Sequence, residues 1–211
     1  MSDRGLILDR LCIERGAERL IDLDARIAPG RALTLMGPSG IGKSTVLAAV
    51  TGTLDAAFTL HGRVLLDGRD ITRLPTEDRH VGILFQDELF FPHLSVGGNL
   101  AFGLPPGGSR ADRRARVEAA LAEVDLAGFA DRDPATLSGG QKSRVALMRM
   151  LLSAPRALLL DEPFSRLDTA LRDQTRRLVF DLARARGLPV LLVTHDAADA
   201  EAAGGEVVEL G

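Results

Sequence analysis

Gly37-Pro38-Ser39-Gly40-Ile41-Gly42-Lys43-Ser44-Thr45 follows an apolar run at 32–36 and precedes a helix-compatible run at 46–50. The stretch reads GxxxxGK[ST] in a strand, loop and helix setting, which is the context a phosphate loop requires. Its glycines let the backbone curl until successive N–H groups converge on phosphate oxygens, and the following helix adds its positive end. Lys43 is placed to reach β- and γ-phosphates as a compact charge, and Ser44 to offer a hydroxyl to Mg²⁺. From this chain's own residue frequencies the pattern arises by chance on the order of twice in a thousand chains of this length. The setting therefore favours a phosphate loop over a merely glycine-rich turn.

Working outward, Ile21, Leu23, Ala25 and Ile27 alternate with Asp22, Asp24 and Arg26, the period-two pattern of a strand with one wet face in an antiparallel edge sheet. Runs at 32–36, 81–85, 157–160 and 190–193 are instead almost wholly apolar and separated by helical stretches. Central strands of a parallel sheet read this way when helices cover both faces. Each run ends on polar or glycine residues: the loop from Gly37, then Gln86, then Asp161 and Glu162, then Thr194 and His195. Ligands of open α/β sheets bind outside the carboxyl ends of the strands, so these termini are expected to meet at one site.

Strand signals stop between 86 and 138. Residues 112–123 carry helical spacing through Val117 and Leu121, continued by Val124, and Ser109 and Asp112 are spaced as a capping box. The expectation is one domain spanning 1–211, with an α/β core from 1–86 and 154–211 and an inserted helical sub-domain at 87–153. The stretch 89–109 is uncharged and long enough to span a bilayer, but Pro92, Pro105, Pro106 and several glycines make it a loop or docking surface.

The 211 residues are 45% hydrophobic and 26% charged, which excludes a disordered or disulfide-scaffold chain. A net charge of −3 removes the general electrostatic case for nucleic acid or anionic lipid. Cys12 is the only cysteine, so a reducing compartment is expected, and the N-terminus lacks the pattern of a secretory signal. Only Lys43 and Lys142 among the 26 basic residues are lysines, which marks both for scrutiny.

Two further constellations carry chemistry. The apolar run ending in Asp161-Glu162-Pro163 presents adjacent carboxylates pointing in different directions, suited to holding Mg²⁺ (Asp161) and to orienting or deprotonating a water (Glu162). Gln86 and His195 each end an apolar run and could reach a γ-phosphate, its water or the metal. His61, His80 and His93 show no metal-ligand spacing. Leu137-Ser138-Gly139-Gly140-Gln141 before a helix-compatible segment at 142–152 makes a second anion-binding site. One nucleotide does not need two cradles on one chain. The economical solution is a head-to-tail pair in which the Ser138 loop of one copy closes over the nucleotide on the phosphate loop of the other.

These motifs, with LLLDEP at 158–163, SRLD at 165–168 and THD at 194–196, closely resemble the ATP-binding subunits of ABC transporters, and the match covers nearly the whole chain. LSGGQ in this order and spacing is specific to that family. LMGPSG, GILFQD and DPATLSGGQ resemble more narrowly the YnjD-type importer ATPases, with thiamine-importer ATPases next. The resemblance implies an α/β P-loop NTPase with a mostly parallel central sheet, an N-terminal antiparallel β sub-domain and an inserted helical signature sub-domain. It implies an ATP- and Mg²⁺-dependent ATPase with Glu162 as base, His195 at the γ-phosphate, Gln86 near the metal, and Asp168 in a loop crossing the dimer interface. It also implies a permease subunit inserting a short helix near Gln86 against Leu89-Phe90-Phe91-Pro92-His93-Leu94, a solute-binding protein acting through it, and a place on the cytoplasmic face of the inner membrane. Where many members carry an aromatic residue to stack on adenine, this chain has Arg15, and Arg166 stands where Ala is usual.

Two alternatives compete: a soluble ATPase of the same family acting on nucleic acid or ribosomes, and a nucleotide-dependent dimerisation switch. The basic cluster Arg110, Arg113, Arg114 and Arg116 is interspersed with Asp112 and Glu118, which reads as a solvated helix face, so no nucleic acid is expected. Glu162 argues against a pure switch, which needs no base.

Overall fold

The computed structural model describes residues 4–38 and 40–210, so Ser39 of the phosphate loop lies outside the described residues; for 169 and 170 the backbone alone is described. The chain divides into two units. The first comprises Met1–Ile83, Arg156–Glu162 and Phe180–Gly211, and the second Leu84–Pro155 and Pro163–Val179.

In the first unit, β1 (Leu6–Arg15) pairs antiparallel with both β2 (Glu18–Ile27) and β4 (Phe58–Leu66), and β5 (Arg69–Asp70) completes a sheet of order β2-β1-β4-β5. Along β2, Ile21, Leu23 and Ile27 are buried while Asp22, Asp24 and Arg26 are exposed, as the alternation requires. A second sheet runs β6 (Val81–Leu84), β7 (Ala157–Asp161), β8 (Val190–Val193), β3 (Ala32–Met36), β9 (Glu206–Glu209), with the last four mutually parallel. Leu33, Leu35, Leu159, Leu191 and Val193 share one core with Leu6, Leu8 and Ile13 of β1 and with Val46, Leu47 and Val50 of α1 (Lys43–Thr51). At about 1.5–3 kcal/mol for each fully buried large aliphatic side chain, this packing fixes where α1, and so the phosphate loop, must lie.

The carboxyl end of α1 is held by a residue outside any motif. Helix ends leave carbonyls without intrahelical partners. Arg79, only 5% exposed, donates through Nη1 to Ala49 O (2.8 Å) and Val50 O (3.0 Å), through Nη2 to Thr72 O (2.6 Å) and through Nε to Leu74 O (2.8 Å). Gly52, in the left-handed region at φ 82°, caps the helix, and a Cβ there would sit 2.5 Å from Arg79 Nε. Burial pushes the Arg79 pKa down from its ordinary value, opposed by the charge of Asp70.

The second unit contains α2 (Val96–Gly103), α3 (Arg110–Glu123), α4 (Gly139–Leu152) and the first part of α5 (Thr169–Ala185). Helix α2 lies inside the 89–109 stretch expected to be a loop. Its glycines, which read as breakers, permit close crossings: a Cβ on Gly97 would lie 2.9 Å from Ala130 O, and one on Gly103 2.1 Å from Arg149 O. Asn99, fully buried, accepts from Phe91 N (2.8 Å) and donates to the carbonyls of Phe91, Leu94 and Ser95, tying the preceding loop to the helix. The capping box at Ser109 and Asp112 is present at the start of α3. Residues 163–179, assigned from sequence to the α/β core, fold with the second unit. Phe164 and Leu167 are buried, a Cβ on Gly140 would lie 3.1 Å from the Leu171 side chain, and Arg144 Nη2 donates to Gln174 Oε1 at 2.9 Å. Among the described residues, no helix is long and apolar enough to cross a membrane.

Replacing Arg79 by Met removes the guanidinium while keeping much of the packing, and leaves several part-buried carbonyls without a donor. Arg79→Met is expected to cost about 3 kcal/mol and to lower the melting temperature by about 10 °C. A thermal melt within about 2 °C of the parent would remove Arg79 from this role.

Candidate functional site

The parallel registers put Leu35 of β3 and Asp161 of β7 both opposite Val193 of β8, so the residues following three strands emerge at one level. The loop after β3 begins at Gly37, whose φ of 149° and close approach to Leu210 (2.6 Å from a built Cβ to the carbonyl oxygen) admit no side chain. Leu210 is held there by donating its N–H to Met36 O at 2.8 Å. The loop continues through Pro38, Gly40 and Ile41, with Ile41 N donating to Pro38 O at 3.4 Å. It ends at Gly42, the N-cap of α1 at φ 104°, with the Ile21 side chain packed beside it, and Thr45 N donates back to Gly42 O at 3.0 Å.

Lys43 is 5% exposed, and its ammonium folds back to donate to Gly37 O (2.7 Å) and Pro38 O (2.9 Å). Ser44 Oγ donates to Asp161 Oδ1 at 3.2 Å, joining the first turn of α1 to the end of β7. Burial pushes the Asp161 carboxyl above its ordinary range and the Glu162 charge adds to this, against the Ser44 hydrogen bond and the Lys43 charge. Glu162 takes the left-handed conformation (φ 45°), rare for a residue with a side chain, while its N–H donates to Val193 O at 2.9 Å. Its Oε1 lies 3.1 Å from Nδ1 of His195. An ionised carboxylate only accepts, so a hydrogen bond to the Glu162 carboxylate requires the tautomer with the proton on Nδ1.

From the sequence, Thr194 is a polar strand end and part of the THD motif at 194–196, with no partner assigned to it. Thr194 is buried and donates to Asp199 Oδ2 (2.7 Å) while accepting from Asp196 N (3.0 Å), and Asp196 caps α6 (Ala197–Ala203). This network fixes the backbone on either side of His195. The sequence signal of it is a threonine set between the apolar run at 190–193 and the histidine.

The oxygen pair Ser44 Oγ and Asp161 Oδ1 fits a hard divalent cation, which takes oxygen ligands and commonly completes its shell with substrate phosphates and water. Among the described residues no group of three or more His, Cys, Asp or Glu side chains converges as a metal cage. Arg15 ends β1 opposite Phe58, its guanidinium carbon 6.0 Å from that ring's centroid.

The remaining expected residues lie in the second unit. Gln86 follows β6 and is exposed. Ser138 is the N-cap of α4 and forms a capping box: its Oγ accepts from Gln141 N (3.4 Å) and its N–H donates to Gln141 Oε1 (3.0 Å). Gln141 therefore shapes the first turn of α4, which carries Gly139 and Gly140. These glycines face the 165–168 loop and α5, a Cβ on Gly139 lying 3.8 Å from Leu167 and one on Gly140 3.1 Å from Leu171. Asp168 accepts from Leu171 N at 3.1 Å, capping α5. Of the aromatic stretch after Gln86, Leu89 is 64% exposed while Phe90 and Phe91 are half-buried. Phe102 of α2, 69% exposed and 4.6 Å from Phe91 between ring centroids, joins the patch. Phe102 was missed because α2 was missed.

A family model described as ABC transporter matches residues 20–165. Over 198 residues the chain is 48% identical to the uncharacterized ABC transporter ATP-binding protein YnjD of Escherichia coli (strain K12), covering 91% of each chain. It is 45% identical to the thiamine import ATP-binding protein ThiQ of Cereibacter sphaeroides over 92% of this chain and 83% of that one. With the Fe(3+) ions import ATP-binding protein FbpC of Pasteurella multocida it shares 43% identity over 96% of its own length but only 58% of the relative's.

A carboxyl whose folded pKa is raised stabilises the fold below its unfolded pKa, about 3.9 for Asp, and that contribution is lost as pH rises through the raised folded value. Asp161 is such a group. Asp161→Asn, which keeps the shape and can still accept from Ser44, is therefore expected to melt higher than the parent at pH 7 without nucleotide or Mg²⁺. The gap should narrow toward about pH 4. Melts from pH 4 to 8 decide it; a parent as stable as the variant at pH 7 contradicts the assignment.

Proposed function

Because this chain belongs to the ABC transporter family, we infer that it is an ATP-binding and ATP-hydrolysing subunit that powers a membrane importer, working as a head-to-tail pair of copies. What carries this reading is the joint placement of buried Lys43, the Ser44–Asp161 pair and the Glu162–His195 pair at the ends of parallel strands.

In this reading the phosphates of ATP lie against the N-terminus of α1 and the loop from Gly37 to Thr45, Ser39 included. Lys43 exchanges the carbonyls of Gly37 and Pro38 for β- and γ-phosphate oxygens. Ser44 and Asp161 hold Mg²⁺, which when bound neutralises the charge on the phosphates, with Gln86 as a further ligand or water-positioning group. Glu162 takes the proton from a water as that water's oxygen bonds to the γ-phosphorus and the bond to the leaving ADP oxygen breaks. His195 holds the Glu162 carboxylate through Nδ1 and leaves Nε2 for the γ-phosphate. Arg15 covers the base. Ser138, Gly139, Gly140 and Gln141 of the second copy close the nucleotide from the other side, and Asp168 lines the interface. Leu89, Phe91 and Phe102 receive the permease on the cytoplasmic face of the inner membrane, and a solute-binding protein acts through that permease.

Two arginines of the basic cluster that a nucleic-acid reading would use are engaged within the chain. Arg113 donates to the carbonyls of Ala101, Pro105 and Gly107, and Arg114 is paired with Asp131 and Glu118.

Two variants test the mechanism. Glu162→Gln keeps the shape and removes the base, so ATP binding should persist, hydrolysis should fall about 10²-fold or more, and an ATP-bound dimer should accumulate. Near-normal turnover would remove Glu162 from its role. Ser138→Arg, introduced into the Glu162→Gln chain, should abolish the ATP-dependent dimer in sedimentation while leaving nucleotide binding by the monomer intact. A dimer of unchanged strength would sink the head-to-tail arrangement.

A further inference from the structure

Arg166, where the family resemblance leads one to expect Ala, projects from a loop whose backbone is already fixed. Phe164 and Leu167 are buried, Arg172 Nη2 donates to Leu167 O at 3.0 Å, and Asp168 caps α5. The exposed Arg166 side chain is therefore not needed to hold the loop, and it forms an ion pair with Asp87, the residue after Gln86. The next residue, Glu88, accepts a hydrogen bond of 2.5 Å from Ser143 Oγ, a buried hydroxyl on α4, the helix that begins at the Ser138 loop. Consecutive carboxylates thus tie the segment after Gln86 to two different elements: Asp87 to the 165–168 loop and Glu88 to α4.

We propose that the Asp87–Arg166 ion pair is a charge latch that positions the Gln86-bearing segment and the Asp168-bearing loop relative to each other, so that the two move together during ATP turnover. Both residues are positioning residues and neither touches substrate. The consequence for turnover rests on the function proposed above; the latch itself is a property of the isolated chain. Both side chains are more than half exposed, so the pair is worth only about 1.4- to fivefold in an equilibrium constant and is screened by salt. A contact of that strength can break and re-form within a catalytic cycle. The Glu88–Ser143 bond, with its hydroxyl buried, is the permanent tether and does not depend on Arg166.

The full-length chain tests this as Arg166→Ala, Asp87→Ala, the double alanine variant and the charge-swapped Asp87→Arg/Arg166→Asp. Hydrogen exchange without nucleotide should quicken about threefold at 84–91 and at 163–168 in either single variant at low salt. The double variant should be no worse than the singles, and the swap should restore protection. About 0.5 M NaCl should bring the parent to the level of the singles. In ATP hydrolysis the singles should lose about two- to fivefold in kcat with KM unchanged, again with rescue by the swap. Unchanged exchange, additive singles, a swap as poor as the singles, or an effect on KM alone would overturn the latch. Turnover measured against chain concentration separates the two claims. A parent rate per chain independent of concentration would fail the paired arrangement, while the exchange cycle would still decide the latch.

Discussion

The register of three parallel strands is the constraint on which the site depends. Leu35, Val193 and Asp161 share a level across β3, β8 and β7, so the phosphate loop, the histidine and the carboxylates must emerge together. Neighbouring strands lie about 4.8 Å apart, which leaves β3 and β7 separated by on the order of 10 Å across β8. Helix α1 closes that gap by placing Ser44 within 3.2 Å of Asp161. A slip of one residue in β7 would turn Asp161 to the other face of the sheet and break that bond, so the apolar pattern that fixes the register also fixes the chemistry.

The phosphate helix is in turn pinned at both ends by specific contacts rather than by core packing alone. At its start, Gly37 is pressed against the Leu210 carbonyl at the end of β9, and Gly42 turns the chain into the helix beside Ile21. At its end, Arg79 and Gly52 form a matched pair, since the guanidinium occupies the space a Gly52 side chain would need. Helix α1 is short at nine residues, too few to be stable by propensity, so these tertiary restraints decide its position.

Much of this was legible in the sequence. The period-two alternation of β2 and the apolar runs of β3, β7 and β8 carry their own burial pattern, and the phosphate loop, Asp161 and Glu162 are where strand ends place them. What was not legible shares one cause, the use of a residue for a distant partner. Arg79 looks like any of the chain's many arginines until its four carbonyl partners are seen. Gly97 and Gly103 read as helix breakers, yet α2 needs them where Ala130 and Arg149 carbonyls approach. Asn99 reads as a loop residue and is the buried hub of that segment. Residues 163–179 follow a core strand in sequence but bury Phe164 and Leu167 in the second unit, and local patterning cannot say which surface an apolar residue will meet.

The charges at the site are held in an arrangement that favours ligand over stability. Asp161 and Glu162 are adjacent carboxylates at a partly buried strand end, where burial and mutual repulsion disfavour ionisation of Asp161. Glu162 also adopts a backbone conformation that a non-glycine residue enters at a cost of about 1–3 kcal/mol. A buried cation nearby, Lys43, is engaged with neutral carbonyls and is therefore ready to be drawn away by phosphate oxygens. Under the function proposed above, Mg²⁺ with a polyphosphate would answer the two electrostatic tensions at once, giving the carboxylate a cation and the lysine an anion. Any substitution that relieves the tension without ligand is therefore expected to strengthen the fold and weaken the enzyme, and the opposed effects should be largest at Asp161, where burial and a neighbouring carboxylate both oppose ionisation and where the metal would bind.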